Sequence, residues 1–170
     1  MANLISWINI AVVFGSIVLF GAVGETLTEK AGNLNLGTPG IMCMGGAFGF
    51  VGAYIYETSV GNPNAFMCIL VALGTAFIVS ALGGLIYSFL TTTLHANQNV
   101  TGLTLTIFGV GLGKFFGTYV IPKGAVSTKA DFATKIFRAR IPFLSDKLGV
   151  VGDILFSYGF MMYLALIVAI

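Results

Sequence analysis

The sequence predicts an all-α integral membrane protein, and three observations lead to this class. Five long apolar stretches fill most of the 170 residues, and each is close to the ~20 residues that a helix needs to cross a bilayer core. Only 8% of the residues are charged, against about 25% in a soluble domain, and the mean hydropathy is +0.99. The strict alternation of apolar and polar residues that marks a membrane β-barrel is absent from the sequence, so the spans should be helical.

We therefore expect about five transmembrane helices in a single domain that covers residues 1–170. The apolar stretches are Trp7–Gly24, Leu36–Tyr56, Asn64–Leu90, Val100–Val120 and Ile154–Ile170. The first has no basic segment before it and no small-residue cleavage motif after it, so we expect a retained span rather than a signal peptide. The net charge of +2 gives no indication of a nucleic-acid partner.

Small residues recur at four-residue spacing in several of these stretches. Residues four apart share one face of a helix, and small side chains on that face let two helix backbones approach closely. We therefore predict that the spans pack against one another through this spacing. The glycines that carry the prediction are Gly45, Gly49, Gly109, Gly113 and Gly117, and a similar stripe consists of Ala72, Ala76, Ser80 and Gly84.

The longest connection, Tyr119–Asp153, holds most of the basic residues. Within it, Thr128–Arg140 could form a short amphipathic helix on a membrane surface, with Phe132, Ile136 and Phe137 on one face. A solvated basic loop explains the same residues equally well, and the sequence leaves both interpretations open.

No group of residues predicts catalysis or metal binding. The run Gly109–Lys114 lacks the first glycine of a phosphate-binding loop and the Ser or Thr that should follow its lysine. Glu25 and Glu29 lie one helical turn apart, but at a span boundary beside Lys30, where charged residues commonly mark the interface. We expect no catalytic residue, no metal site and no cofactor in this chain, and we do not expect it to be an enzyme.

Glycine, proline and asparagine concentrate where the second span should begin. The stretch Gly32–Gly40 contains three glycines and Pro39, a composition that favours a broken or irregular start of the helix. Irregular backbone at membrane depth is tolerated where it lines a cavity or is buried in protein. Asn33 and Asn35 add hydrogen-bonding groups there, although an ordinary interhelical turn is an equally good explanation from physics alone.

This stretch resembles the permease subunits of ABC importers for nucleosides and simple sugars, the ribose/branched-chain type. The family shows a pattern close to E-R-x-G-V-x-N-x-G-x-E-G. Lys30 stands at the usual arginine and Pro39 at the common glutamate, so no role of that carboxylate carries over. The matching residues are Glu29, Gly32, Asn35, Gly37 and Gly40.

Two further stretches support the resemblance. The polar turn that begins at His95 is similar to the family's A-N-Q-x-V-x-G-L-x-L, and the stretch Arg140–Phe156 is similar to its I-P-x-L-S-D and V-L-G-x-I-L-F segments. The polar turn contributes Asn97 and Gln98, which join Asn33 and Asn35 as the candidate residues of a substrate path. The three motifs span nearly the whole chain, but they correspond only to the front half of a typical family member.

The resemblance implies a membrane-spanning permease subunit of an ATP-driven importer in a bacterial cell membrane. A nucleoside or simple sugar would be the substrate, and a separate ATPase subunit would use the ATP. A second permease subunit and an extracytoplasmic substrate-binding protein would be the other partners. The alternatives are a small structural or assembly membrane protein without a transport path and, less favoured, an intramembrane enzyme.

The membrane orientation is contested between two arguments. Lys and Arg concentrate in Tyr119–Asp153, so the positive-inside rule places this connection and the N-terminus in the cytoplasm. The family resemblance implies the reverse, with Thr91–Asn99 inside. We favour the family arrangement because three ordered motifs outweigh the charge of one connection.

Overall fold

The computed structural model describes residues 2–120, 130–138 and 158–170, and the regular structure of these residues is entirely helical. Four helices are long and apolar enough to cross a membrane, at Ser6–Lys30, Thr38–Ser59, Ala65–Thr93 and Gln98–Tyr119. They confirm the all-α membrane class and correspond to the first four predicted spans. Of the fifth predicted span, the described residues include a ten-residue apolar helix at Phe160–Ala169.

The helices are numbered here in chain order. They are α1 (Ala2–Lys30), α2 (Thr38–Ser59), α3 (Ala65–Ser88, continued by a π-helical turn at Phe89–Thr93), α4 (Gln98–Tyr119), α5 (Asp131–Phe137) and α6 (Phe160–Ala169). The chain divides into two compact units, one of residues 25–133 and one of residues 1–24 with 134–170.

The first helix is longer than the sequence indicated. The predicted span ends at Gly24, but α1 continues to Lys30. The residues that follow Gly24 are mostly good or neutral helix formers, so nothing in them ends the helix before the next glycine. The connection to α2 is therefore only residues 31–37.

A glycine closes α1 in a Schellman motif. Gly32 has a φ of +85°, in the left-handed region that glycine adopts without steric cost. Its N–H donates to the Glu29 carbonyl at 2.9 Å, and the N–H of Asn33 donates to the Thr28 carbonyl at 3.0 Å. These two bonds satisfy carbonyls at the helix end that have no partner within the helix.

The irregular start of the second span lies in residues 31–37 rather than in the helix. α2 has Gly37 as its N-cap, and Pro39 falls in the first turn, where a proline costs no backbone hydrogen bond. Gly40 is already inside the helix. A Cβ at this position would lie 2.5 Å from the Leu105 carbonyl oxygen of α4, so Gly40 allows close packing rather than a break.

In the unit of residues 25–133, α2 packs against both α3 and α4. On the α3 side, a Cβ on Gly49 would lie 3.1 Å from the Ala72 carbonyl oxygen and 3.2 Å from the Ala76 Cβ, and a Cβ on Gly45 would overlap the Ser80 hydroxyl. Met44 of α2, Tyr87 of α3 and Leu105 of α4 form the buried core of this three-helix arrangement, each at most 5% exposed.

Short turns bring the last residues of α1 together with α2, α3 and α4 at one end of this unit. α3 ends in the π-helical turn, and His95 follows with a φ of +50°. Asn97 then caps α4, because its Oδ1 accepts from the N–H groups of Asn99 at 3.0 Å and Val100 at 3.2 Å. The turn at residues 94–97 therefore lies at the same end as the connection at 31–37.

The unit of residues 1–24 and 134–170 has its own polar and aromatic contacts. The hydroxyl of Tyr158, a residue only 3% exposed, donates to Oδ1 of Asn9 in α1 at 3.0 Å. The rings of Phe137 in α5 and Phe160 in α6 are stacked, with their centroids 5.6 Å apart. Asn9 thus provides a polar contact inside the first apolar helix.

The predictions for the long basic connection lie largely outside the described residues, including the motif stretch Arg140–Phe156. Within Thr128–Arg140, the described residues form α5, with Lys135 exposed and the predicted apolar face half-buried. For these residues the short helix is therefore favoured over the solvated loop. The half-buried residues of that face are Phe132, Ile136 and Phe137.

Candidate functional site

The connection between α1 and α2 is a compact turn built around Asn35. The Asn35 side chain is only 7% exposed, and its Oδ1 accepts from the Gly37 N–H at 2.9 Å. The backbone carbonyl of Asn35 also accepts from the Thr38 N–H at 3.3 Å. Asparagine commonly stabilises such turns by bonding to the backbone two residues on. The result is a fixed polar turn directly before the first residue of α2.

The carboxylate of Glu25 joins this turn to α1. Its Oε1 accepts from the Asn35 N–H at 2.8 Å, and its Oε2 accepts from the Thr38 hydroxyl at 2.8 Å. Hydrogen bonds to an ionised group are shorter and stronger than those between neutral groups. Because Thr38 is the first residue of α2, the negative charge also lies at the positive end of that helix's dipole.

Two side chains of α3 and α4 bind the same turn at Leu34. The Tyr87 hydroxyl donates to the Leu34 carbonyl at 2.7 Å. The Leu34 N–H donates to Oε1 of Gln98 at 3.0 Å. Both backbone groups of this residue are therefore paired with side chains from other helices.

The next part of the turn rests on α4. Thr106 donates its hydroxyl to the Leu36 carbonyl at 2.7 Å. A Cβ on Gly102 would lie 2.8 Å from the Leu36 nitrogen and 2.9 Å from the Gly37 nitrogen, so only a glycine lets the turn lie directly on this helix. The connection is thus held by side chains of α1, α3 and α4, which makes it the most densely hydrogen-bonded interhelical segment that the structure describes.

The four candidate path residues lie at this one end of the bundle, with different contacts. Asn35 and Gln98 both bind the turn through their amide oxygens. Asn97 uses its amide oxygen to cap α4. Asn33 closes α1 through its backbone N–H, and its side chain is half-buried. Since a backbone N–H can bond only to the amide oxygen, the –NH₂ groups of Asn35 and Gln98 are the remaining donors of these side chains.

The predicted packing glycines also have different environments. Gly45 and Gly49 face α3, while Gly109 and Gly113 face α2. A Cβ on Gly113 would lie 3.0 Å from the Cys43 sulfur. A Cβ on Gly117, by contrast, would meet no described atom within 4 Å.

Sequence reasoning missed three residues that hold the turn, namely Glu25, Tyr87 and Thr106. The sequence pattern places Glu25 at a span boundary, yet this residue lies inside the apolar helix Ser6–Lys30. An ionisable residue within a membrane helix is costly and marks a functional or structural site, and this signal could have found Glu25. Tyr87 and Thr106 carry no such signal, because hydroxyl groups are common in membrane helices.

A second missed carboxylate lies at the opposite end of α2. Oε1 of Glu57 accepts from the Phe132 N–H of α5 at 3.1 Å. The other oxygen, Oε2, is buried and has no hydrogen-bond partner among the described residues. A buried carboxylate oxygen needs a hydrogen-bond partner, so the two oxygens of Glu57 have different environments among the described residues.

The helices and the polar turn define a multi-pass membrane protein with a built polar segment at one end of a helix bundle. The family of the permease component of the branched-chain amino acid transport system matches residues 6–170 of the chain. The match covers nearly the whole sequence, and the chain belongs to this family.

Three curated proteins illustrate the similarity. The putative glucose ABC transporter permease of Haloferax volcanii is 33% identical over 111 residues, which are 65% of this chain and 31% of that protein. The guanosine ABC transporter permease of Bacillus subtilis is 23% identical over 85% of this chain and 43% of its own length. The nucleoside ABC transporter permease of Lactococcus lactis is 24% identical over 93% of this chain and 47% of its own length.

The chain thus spans between about a third and a half of the length of these relatives. No solved structure shows a significant match to it.

Proposed function

We propose that this chain is a membrane-spanning permease subunit of an ATP-driven importer and forms part of the path for a nucleoside or a simple sugar. The observation that carries the proposal is the family match over residues 6–170. The relatives named for glucose, guanosine and nucleosides support these two classes of substrate.

The partners follow from the same family. A separate ATPase subunit would hydrolyse ATP, so the chain itself would need no cofactor, metal or catalytic group. A second permease subunit would complete the path, and an extracytoplasmic binding protein would deliver the substrate. The described helices supply apolar surface for the bilayer and, at one end, a polar segment.

The polar turn between α1 and α2, at residues 31–37, supports a location for the path within this chain. Asn33, Asn35, Asn97 and Gln98 lie at one end of the bundle, and the amides of Asn35 and Gln98 are oriented by bonds to the backbone. Sugars and nucleosides carry hydroxyl and carbonyl oxygens, which accept from amide –NH₂ groups. We place the solute contact of this chain at these amides, with Asn35 as its central residue.

Uptake by the complete transporter tests the proposal. Proteoliposomes that contain this chain, the ATPase and the second permease would be loaded with ATP and supplied with the binding protein and labelled guanosine or glucose. We expect ATP-dependent uptake of one solute class and a large loss of uptake for Asn35→Leu at normal assembly. If neither solute is taken up above the level of a complex without this chain, the proposed function is wrong.

A further inference from the structure

We propose that Glu25 is a positioning residue of the solute path, which acts by fixing the orientation of Asn35 and of the first turn of α2. The inference rests on the proposed function, because it assigns to Asn35 a contact with the solute. The carboxylate is not part of the sequence motifs. It lies in α1 and binds the turn that follows this helix.

Both oxygens of Glu25 are used, and each has a different task. Oε1 binds the peptide N–H of Asn35, and Oε2 binds the hydroxyl of Thr38, each at 2.8 Å. An ionised group in a membrane helix normally pairs with an opposite charge or faces water. Glu25 is half-buried, and among the described residues it binds two neutral donors of the turn instead.

The carboxylate also lies beside the start of α2, where it accepts from the Thr38 hydroxyl. The N-cap residue of α2, Gly37, has no side chain that could accept from the first turn. A negative charge beside the N-terminus of a helix is favourable because the unpaired N–H groups there carry partial positive charge. Glu25 supplies this charge from α1, so the start of α2 depends on a residue outside its own segment.

The consequence for Asn35 follows from the hydrogen bonds of its backbone N–H and of its side-chain amide. Its backbone N–H is held by Glu25 and its Oδ1 by Gly37, which leaves the –NH₂ group in one fixed direction. A group that contacts a ligand must be held closely by its supporting residues, because small displacements weaken recognition. Without Glu25, the peptide of Asn35 loses its bond to α1, and the direction of the amide becomes less defined.

Loss of Glu25 should nevertheless leave the bundle assembled. The turn is also bound by Tyr87 and Gln98 at Leu34 and by Thr106 at Leu36. These bonds come from α3 and α4 and do not involve Glu25. We therefore expect the substitution to weaken recognition of the solute more than folding.

The test compares Glu25→Gln with Glu29→Gln in the complete complex. Glutamine keeps the size of the side chain but replaces one acceptor oxygen with a donor, so it cannot accept from both Asn35 and Thr38. Glu29 lies one turn further along α1, where its side chain is exposed and hydrogen-bonds to no described residue. Both variants remove one negative charge at the same end of the same helix.

The readout separates the solute concentration at half-maximal uptake from the maximal rate. We expect Glu25→Gln to raise the half-saturating concentration about tenfold, because a neutral amide with one acceptor oxygen replaces the charged acceptor that holds both Asn35 and Thr38. The maximal rate, the amount of complex in the membrane and its melting temperature should stay close to the parent. An equal effect of Glu29→Gln would overturn the inference, because it would assign the change to charge alone.

A double-mutant cycle with Asn35→Leu tests whether Glu25 acts through Asn35. If it does, Glu25→Gln should add nothing in the Asn35→Leu background, whereas independent sites would add their effects. Additive effects would overturn the role of Glu25 but would leave the proposed solute contact at Asn35 in place. If Asn35→Leu alone leaves uptake unchanged, the placement of the path fails, and the role of Glu25 fails with it. Should Glu25→Gln not assemble, Thr38→Val removes the Oε2 bond together with the 3.1 Å bond from the same hydroxyl to the Asn35 carbonyl. It keeps the Glu25 carboxylate and is expected to raise the half-saturating concentration in the same direction.

Discussion

The backbones of Gly40 and Gly109 touch where α2 crosses α4, because a Cβ on Gly109 would lie 2.6 Å from the Gly40 carbonyl carbon and 2.8 Å from its Cα. No side-chain movement can relieve such a contact, since both partners are backbone. Close approach of two helices through small residues is the main source of helix association in lipid, where burial of apolar surface gives no net gain.

A series of alanine substitutions along α4 should therefore give graded effects. Gly109→Ala forces the two backbones apart and should lower the stability of the complex by about 1–3 kcal/mol, the usual cost of overpacking. Gly113→Ala should cost less, because its Cβ would lie 3.0 Å from the Cys43 sulfur, part of a side chain that can move, and 3.2 Å from the nearest backbone atom, the Cys43 carbonyl oxygen. Thermal unfolding of the detergent-purified complex measures both.

Gly117→Ala is the matched control of this series. Its Cβ would meet no described atom within 4 Å, and alanine is a better helix former than glycine, so stability should be unchanged or slightly higher. Equal losses for Gly109→Ala and Gly117→Ala would show that glycine flexibility, rather than helix contact, controls the result.

The four-residue spacing identified the packing faces but not how far they extend. Spacing reports which residues share a helix face, and Gly109 and Gly113 do lie against α2. Whether a neighbour reaches the last turn depends on helix crossing, which local sequence does not encode. Gly117 meets no described atom, and Gly40, which sequence analysis assigned to an irregular start, is the residue that Gly109 contacts.

The polar turn at residues 31–37 was predictable in its position but not in the contacts that hold it. Glycine and proline indicate an irregular segment, and Asn33 and Asn35 are its predicted hydrogen-bonding residues. The side chains that hold it come from positions 10, 53 and 70 residues away, as in the pairs Glu25–Asn35, Tyr87–Leu34 and Thr106–Leu36. Such pairs depend on the arrangement of four helices, so no local pattern could have predicted them.

Tyr87→Phe should destabilise the turn without changing the packing of the core. The substitution removes only the hydroxyl that donates to the Leu34 carbonyl at 2.7 Å and leaves that carbonyl without its bond. We expect a loss of about 0.5–1.5 kcal/mol, the usual net contribution of one intramolecular hydrogen bond, because Leu34 itself is exposed. The control is Tyr54→Phe, whose hydroxyl binds no described residue. A melting temperature equal to that of the control would mean that water replaces the Tyr87 hydroxyl.

Substitutions of Glu57 should distinguish the contributions of its two carboxylate oxygens to stability. Glu57→Gln keeps an oxygen for the Phe132 N–H and makes neutral the side chain whose Oε2 has no partner among the described residues, so the complex should unfold at the same or a higher temperature. Glu57→Met removes the acceptor and should cost about 1–3 kcal/mol. If glutamine destabilises as much as methionine, the charge of Glu57 has a partner in the assembled transporter.

The membrane orientation can be decided with two cysteines at opposite ends of the described bundle. Leu94, which is 59% exposed, lies in the turn between α3 and α4, and the exposed Ser59 ends α2 at the other end. From the family arrangement we predict that Leu94 faces the cytoplasm and Ser59 the exterior. The positive-inside rule, applied to the basic connection after α4, predicts the reverse.

Labelling of intact cells by a membrane-impermeant maleimide distinguishes the two orientations. The parent protein is the background, since Cys68 is fully buried and Cys43 is half-buried between helices. We expect Ser59→Cys to react in intact cells and Leu94→Cys to react only after permeabilisation. The opposite pattern would place the polar turn and the candidate path residues at the exterior end of the bundle. Asn35 would then meet the solute as it leaves the binding protein rather than as it enters the cytoplasm.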